Sequence, residues 1–275
     1  MDKMSTTKLD FWGVRGTCPV SGEQKRKYGG HTPCASYPLP DGSVIVIDAG
    51  TGIKELGDRV MADLGGMPST IHIFLTHFHL DHIMGLPFFG PLYSPDIRLA
   101  IYADSPPEET EKHLSGLMGG KFFPVSFSET LSEKTFQRIP EKGTVIQGVQ
   151  LSICPLNHPQ GSVAYKIQDE NETVVIATDT EHPERGIDQR LSGFASGADI
   201  FVYDATFTPD EYKTGRKGWG HSTWEEGVKL AERAGVKNLC LSHLNPDHRD
   251  AQIDEILSLA REKFADTFIA KEKSG

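Results

Sequence analysis

The segment Thr76-His77-Phe78-His79-Leu80-Asp81-His82 places three imidazoles and a carboxylate within six residues. Imidazole nitrogen and carboxylate oxygen are the preferred ligands of zinc and related divalent metals. With 11 His in the whole chain, composition alone would produce such a string in roughly one chain of this kind in a thousand. The run follows an apolar strand, where residues two apart point the same way, so His77 and His79 can share one metal. A turn into a helix at Asp81-His82 would aim the next two ligands at a second ion.

A dinuclear site needs more ligands than one motif supplies. Three candidates each follow an apolar, β-rich run: His158 after 149–154, Asp179 after 173–178, and His243 after 238–242. Two metals at ~3.5–4 Å can activate water at neutral pH and neutralise charge on the attacked group, which is hydrolytic chemistry at phosphorus or carbonyl carbon.

Those ligands must be positioned by a framework. Strands are expected over 9–12, 44–48, 70–76, 98–103, 149–154, 163–168, 173–178, 200–203 and 238–242, bounded by Gly, Pro and polar turns. Helices are expected over 53–64, stopped at Gly65-Gly66, and after Pro106-Pro107. Ser222-Thr223-Trp224-Glu225 reads as a capping box with Ser222 as the cap, followed by Trp224, Val228 and Ala231 on one face. A last helix carries Ile253, Ile256, Leu257, Ala260 and Phe264. The stretch 119–142 has aromatics but no clean period. No repeat or low-complexity linker divides the 275 residues, so residues 1–275 read as a single domain.

Composition narrows the function classes. The net charge of −10 argues against a protein dedicated to long nucleic acids, whose phosphates favour basic surfaces. No apolar window is long enough to span a bilayer, and the polar N-terminus lacks a signal core, which sets the expectation of a cytoplasmic protein with no membrane partner. Cys18, Cys34, Cys154 and Cys240 are scattered and form no CxxC pair, so they read as reduced thiols.

From Asp48 to His243 the chain resembles the metallo-β-lactamase fold superfamily. Asp48 in Asp48-Ala49-Gly50-Thr51-Gly52, the motif of His77, His79, Asp81 and His82, then His158, Asp179 and His243 match its motifs in order. The resemblance implies an α/β fold, an αββα sandwich of two mixed β-sheets flanked by helices. It implies one metal held by His77, His79 and His158, another by Asp81, His82 and His243, with Asp179 bridging and Asp48 supporting the loop. Zinc is the first expectation for both ions, with manganese or iron as alternatives.

Two further segments look similar to the phosphodiesterase branch, which includes ribonuclease Z and small cyclic-phosphate phosphodiesterases. These are Asp204-Ala205-Thr206-Phe207 and Gly220-His221-Ser222-Thr223. The resemblance implies that Asp204 orients His221, which stabilises or protonates the leaving oxygen, while Asp81 also acts in catalysis. The opening motifs around Phe11–Thr17 and Tyr28–Thr32 fit the branch, with His31 standing where asparagine is often found. Arg15 or the run Lys25-Arg26-Lys27 is then a candidate phosphate contact.

His158 and Asp179 are too close in sequence to hold the long tRNA-gripping insertion of ribonuclease Z. The expected substrate is therefore a small phosphodiester such as a cyclic nucleotide or cyclic ribose phosphate. Alternatives are a thioester or lactam hydrolase on the same fold, and a ribonuclease Z-like RNA nuclease lacking the tRNA-binding arm. Related enzymes are often dimers, so a homodimer is a further expectation.

Overall fold

The computed structural model describes residues 7–140 and 142–273. Two mixed sheets face each other. The first has the order β1 (Asp10–Gly13), β2 (Cys34–Pro38), β3 (Val44–Ile47), β4 (Ser69–Phe74), β5 (Ile97–Ala103), β6 (Glu133–Arg138). The second runs β13 (Thr267–Ile269), β12 (Asn238–Ser242), β11 (Ile200–Asp204), β10 (Thr173–Ala177), β9 (Ser162–Gln168), β8 (Val149–Leu156), β7 (Thr144–Ile146).

Helices α1 (Ile53–Leu64) and α3 (Pro107–Leu117) cover the outer face of the first sheet, where Ile53, Leu56 and Leu114 pack with Val46, Ile71, Ile73 and Ile101. Helices α4 (Gln189–Phe194), α6 (Trp224–Ala234) and α7 (Asp250–Lys263) cover the second, burying Leu191, Val228, Ala231, Ile253 and Ala260. Two shorter helices, α2 (Leu80–Ile83) and α5 (Pro209–Lys213), lie beyond the strand ends. Each central strand is buried on both faces, which explains the near-continuous apolar runs Val44–Ile47 and Thr173–Ala177. The layers are the αββα sandwich of two mixed sheets that the sequence led us to expect.

Strand direction is what gathers the site. β3, β4 and β5 are parallel, as are β10, β11 and β12. β8 is antiparallel to β9, and β9 to β10, so β8 ends at the same edge as β10. The carboxyl ends of both sheets therefore open on one edge, where ligands bind in open α/β sheets. Two bonds stitch the sheets beneath it: Tyr165 OH donates to the Leu75 carbonyl at 2.7 Å, and Val163 N–H to the Thr76 carbonyl at 3.2 Å.

The unassigned stretch 119–142 contains β6, an edge strand reading Glu-Lys-Thr-Phe-Gln-Arg and largely exposed. Charged edge strands discourage edge-to-edge pairing and carry little hydrophobic alternation. All four cysteines are free, Cys18 exposed and the others buried. Among the described residues no helix is long and apolar enough to cross a membrane.

Candidate metal centre

Asp48, Asp179 and His243 follow β3, β10 and β12, and each has positive φ, at 63°, 58° and 53°. Left-handed backbone costs a non-glycine residue about 1–2 kcal/mol, and such strain concentrates at functional sites. The turn takes each side chain off the sheet and into the shared edge. After β4 the chain reaches His79 in extended conformation and then enters α2, whose first turn presents Asp81 and His82. This loop is packed tightly against the Asp48 turn: a Cβ on Gly50 would lie 2.5 Å from the Asp81 carbonyl.

The candidate ligands meet there. His82 Nε2 is 3.2 Å and His243 Nε2 3.3 Å from the Asp179 carboxylate, and His77 and His158 Nε2 are each 3.9 Å from it. Asp81 Oδ2 is 3.6 Å from both His82 Nε2 and His243 Nε2. His77, His79 and His158 form one group able to hold an ion, and Asp81, His82 and His243 another, with Asp179 reaching His77 and His82.

Outer hydrogen bonds fix which nitrogen faces inward. Thr76 Oγ1 and N–H both bond the Asp48 carboxylate, so the Thr76 hydroxyl proton is committed and His77 Nδ1 donates to it at 3.0 Å. His82 Nδ1 donates to Asp48 at 2.8 Å. His243 Nδ1 is held at 2.9 Å by Thr206 Oγ1, which itself bonds Asp204. His158 Nδ1 donates to the Gly220 carbonyl at 2.8 Å, and His79 Nε2 bonds Gln160 at 2.9 Å. Such partners orient ligand rings and raise their basicity.

The inward atoms fit metal ions. Among the described residues, His77 Nε2, His82 Nε2, His243 Nε2 and Asp179 Oδ2 are buried with no hydrogen-bond partner. His79 Nδ1 and His158 Nε2 face each other at 3.1 Å, although both rings already commit a proton elsewhere. Two lone pairs at that distance need a cation beside them. Asp48, Asp81, Asp179 and Asp204 are all buried, and their ion-pair partners are histidines. Buried carboxylates without a cation are costly, and divalent ions would supply the missing charge. Although burial opposes ionisation, His243 and His82 hold the Asp179 carboxyl well below its usual range. Burial first, and His82 second, push His77 down, so its ring is neutral and free to ligate.

His221 stands at the rim, with Nδ1 2.9 Å from Asp204 Oδ2 and its ring stacked 4.9 Å from His243. Burial would lower its pKa, but the Asp204 charge and hydrogen bond outweigh that and hold it up at about 9. Glu181 fixes the approaching loop by accepting from Gly218 N–H at 2.7 Å and Gly220 N–H at 2.9 Å. Gly220 has φ 84°, and a Cβ there would lie 2.3 Å from His158 Nδ1.

Several expectations need correcting. Thr223, not Ser222, caps α6, accepting from Glu226 N–H. Ser222 Oγ is instead taken up by Tyr203 OH and His182 Nδ1, both at 2.9 Å. Arg15 is fully buried and cannot meet a substrate phosphate. Its guanidinium donates to the carbonyls of Gly29, Asn245 and His248. Lys25 likewise donates to the Pro246 and His248 carbonyls, and Lys27 pairs with Asp254. His31 Nδ1 contacts Thr51 Oγ1 at 3.2 Å. The residues that sequence reasoning missed are the partners Thr76, Thr206, Gln160 and Thr17, whose N–H donates to Asp81 Oδ2 at 2.7 Å. Thr76 and Thr206 do sit inside the motifs that flagged the site, which is the one available signal.

Comparison with known proteins agrees with this geometry. Residues 44–244 match the Beta-lactamase superfamily domain. Ribonuclease Z of Thermoplasma volcanium is 23% identical, covering 98% of this chain and 96% of its own length. Ribonuclease Z of Shouchella clausii is 29% identical over 63% of this chain and 68% of its own. Among solved structures, the metallo-beta-lactamase fold protein YhfI from Bacillus subtilis superposes with a TM-score of 0.72 at 19% identity, covering 97% of both chains. A diphosphatase from the PhnP family gives a TM-score of 0.69 at 21% identity over 97% of this chain and 95% of that one. With most of its length matched and its clustered His and Asp side chains at the shared sheet edge, the chain belongs to the metallo-β-lactamase fold superfamily.

Proposed function

We propose that the protein is a dinuclear metal-dependent phosphodiesterase acting on small phosphodiesters. The observation that carries the reading is the buried Asp204 carboxylate holding His221 beside the metal-ligand cluster. A thioester or lactam hydrolase would have no evident use for that pair.

His77, His79 and His158 would hold one ion, Asp81, His82 and His243 the other, with Asp179 shared between them. Two divalent ions held there, zinc foremost with manganese or iron as alternatives, would neutralise phosphoryl charge and bring the pKa of a water near neutrality. The chain's own residues do the rest. Thr17 N–H fixes Asp81, and Thr206 holds Asp204 and His243 in one network. In hydrolysis a P–O bond forms to water oxygen and the ester P–O bond breaks. His221, oriented through Nδ1, gives the proton on Nε2 to the departing alkoxide, yielding a monoester and an alcohol. A low dielectric around the buried pair strengthens each of these interactions.

Substrate size follows from topology and charge. Only the β9–β10 hairpin lies between His158 and Asp179, and the net charge is −10. Both support a small substrate. RNA cleavage is the second reading, favoured by relatives named ribonuclease Z that align over nearly the whole chain. The test is a panel on metal-loaded protein: bis-p-nitrophenyl phosphate, a 2′,3′-cyclic nucleotide, a precursor tRNA, a thioester and nitrocefin. Turnover of the two small diesters is expected. Turnover confined to the thioester or nitrocefin would overturn the reading, and turnover confined to tRNA would replace it with the second.

A further inference from the structure

Residues 270–273 leave β13 and cross from the second sheet to the first. Ala270 N–H donates to the Leu241 carbonyl of β12 at 2.9 Å, Glu272 N–H to the Tyr28 carbonyl at 2.9 Å, and Lys273 N–H to the Phe11 carbonyl of β1 at 2.7 Å. This strap pairs with β1 through Phe11 and Glu272. It carries the Glu272 carboxylate against segment 28–32, where it accepts from the N–H groups of Gly30 and His31, the latter at 2.6 Å. The fit leaves no room for a side chain at position 29. Gly29 has φ 111°, and a Cβ there would lie 2.0 Å from Glu272 Cδ.

Segment 28–32 in turn holds a loop at the metal centre. The His31 carbonyl accepts from Val14 N–H at 3.0 Å and Arg15 N–H at 2.9 Å, and the Gly30 carbonyl from Val20 N–H at 2.8 Å. Both ends of loop 14–20 thus hang on the two residues whose N–H groups Glu272 holds. Between those anchors Gly16 packs on His243, where a Cβ would lie 2.2 Å from the ring, and Thr17 N–H donates to Asp81 Oδ2 at 2.7 Å. Thr17 reaches Asp81 at φ 68°, a left-handed backbone that a non-glycine residue keeps only when its surroundings impose it. Both contacts fall on the group Asp81, His82 and His243, and neither on His77, His79 or His158.

We infer that Glu272 is a positioning residue for one of the two ions: through Gly30 and His31 it fixes the loop that sets Asp81 and His243. The inference goes beyond the phosphodiesterase reading and needs only the metal centre. Hydrogen bonds to a charged acceptor are the strong ones, so removing the carboxylate frees segment 28–32 to shift. The shift passes through the His31 carbonyl to Thr17 and loosens the carboxylate that its N–H orients. Partners directly behind a metal ligand are worth about 10–100-fold in affinity. Glu272 acts further out, so the lower end of that range is expected.

The experiment measures the zinc affinity of the full chain by competition with a chelating indicator, with no substrate present. Glu272→Ala should still take two ions, with one weakened about tenfold. In Asp81→Ala the remaining ion is the one at His77, His79 and His158, and adding Glu272→Ala should leave its affinity within about twofold. Glu272→Gln, whose amide oxygen accepts from the same N–H groups, should stay within about threefold of wild type. Should Glu272→Ala fail to fold, Glu272→Asp, with its carboxylate drawn back by one methylene, is read in its place, and the same weakening of one ion is expected. Unchanged zinc affinities in the folded variant would overturn the inference. So would an equal loss in the Asp81→Ala background, which would make Glu272 a general support of the fold, or an equal loss in Glu272→Gln. Hydrolysis of diesters by the wild type tests the other reading separately, so either can fail alone.

Discussion

The backbone N–H of Asp179 donates to Asp204 Oδ2 at 3.0 Å, the same oxygen that holds His221 Nδ1 at 2.9 Å. One buried carboxylate thereby ties the shared ligand to the rim histidine. Displacing either would move the other, so the position of Asp179 and the orientation of the His221 ring are coupled through Asp204.

Asp81→Ala should lower the metal content from two ions per chain to one and reduce turnover by ~10³, the span that several kcal/mol of charge stabilisation represents. The fold should persist, because Asp81 sits at the open sheet edge. Elemental analysis beside circular dichroism checks this. Two ions and undiminished turnover in a folded variant would remove Asp81 from the centre.

Asp48→Asn addresses the outer layer. Asp48 accepts from Thr76 and His82. Weakening those bonds should cost ~10–100-fold in metal affinity, the usual effect of losing a partner behind a ligand histidine. Competition with a chelator reads that directly, and unchanged affinity would make Asp48 merely a folding residue.

Arg15→Lys should destabilise the protein by about 3 kcal/mol, because a buried ammonium cannot reproduce the three bonds that the planar guanidinium makes to the carbonyls of Gly29, Asn245 and His248. KM for a diester should stay within about twofold. A raised KM with unchanged stability would restore Arg15 as a phosphate contact.

Arg15 also shows where reading the sequence stops. A lone arginine in a glycine-rich opening looks like an anion contact. Only the fold brings the loop holding Asn245 and His248, more than two hundred positions away, around its side chain. The ligands were legible because histidines and aspartates followed strongly apolar strands, and parallel strands deliver their ends to one edge. The left-handed turns at Asp48, Asp179 and His243 were not, since no glycine marks them. Nor was the role of Ser222, whose local pattern suited a cap but whose hydroxyl is claimed by Tyr203 and His182. Edge strand β6 stayed hidden because its exposed charges erase the alternation that reveals central strands.

Glu272 gives a pH dependence. Burial raises its carboxyl to about 7 from the ordinary 4.5, despite hydrogen bonds from His31 and Gly30 N–H that favour the anion. The folded state thus holds this proton more tightly than the unfolded chain. Its contribution is fully present below pH 4.5 and is lost as pH rises toward about 7. Glu272→Gln cannot titrate, so wild-type stability should fall relative to the variant between those limits. Urea unfolding at pH 5 and pH 8 measures the difference, and a constant gap would show that Glu272 ionises normally.

The leaving-group dependence of His221→Ala tests the central claim most directly. Metal content is checked first and should match wild type. With a diester whose leaving group is a ribose hydroxyl, kcat should fall by ~10²–10⁴, the span of a positioned acid. With a p-nitrophenolate leaving group, which needs little protonation, the loss should be much smaller. Asp204→Asn should show a milder version of the same pattern. Equal losses on both substrates would make His221 a phosphate clamp, and no loss on either would contradict the phosphodiesterase account.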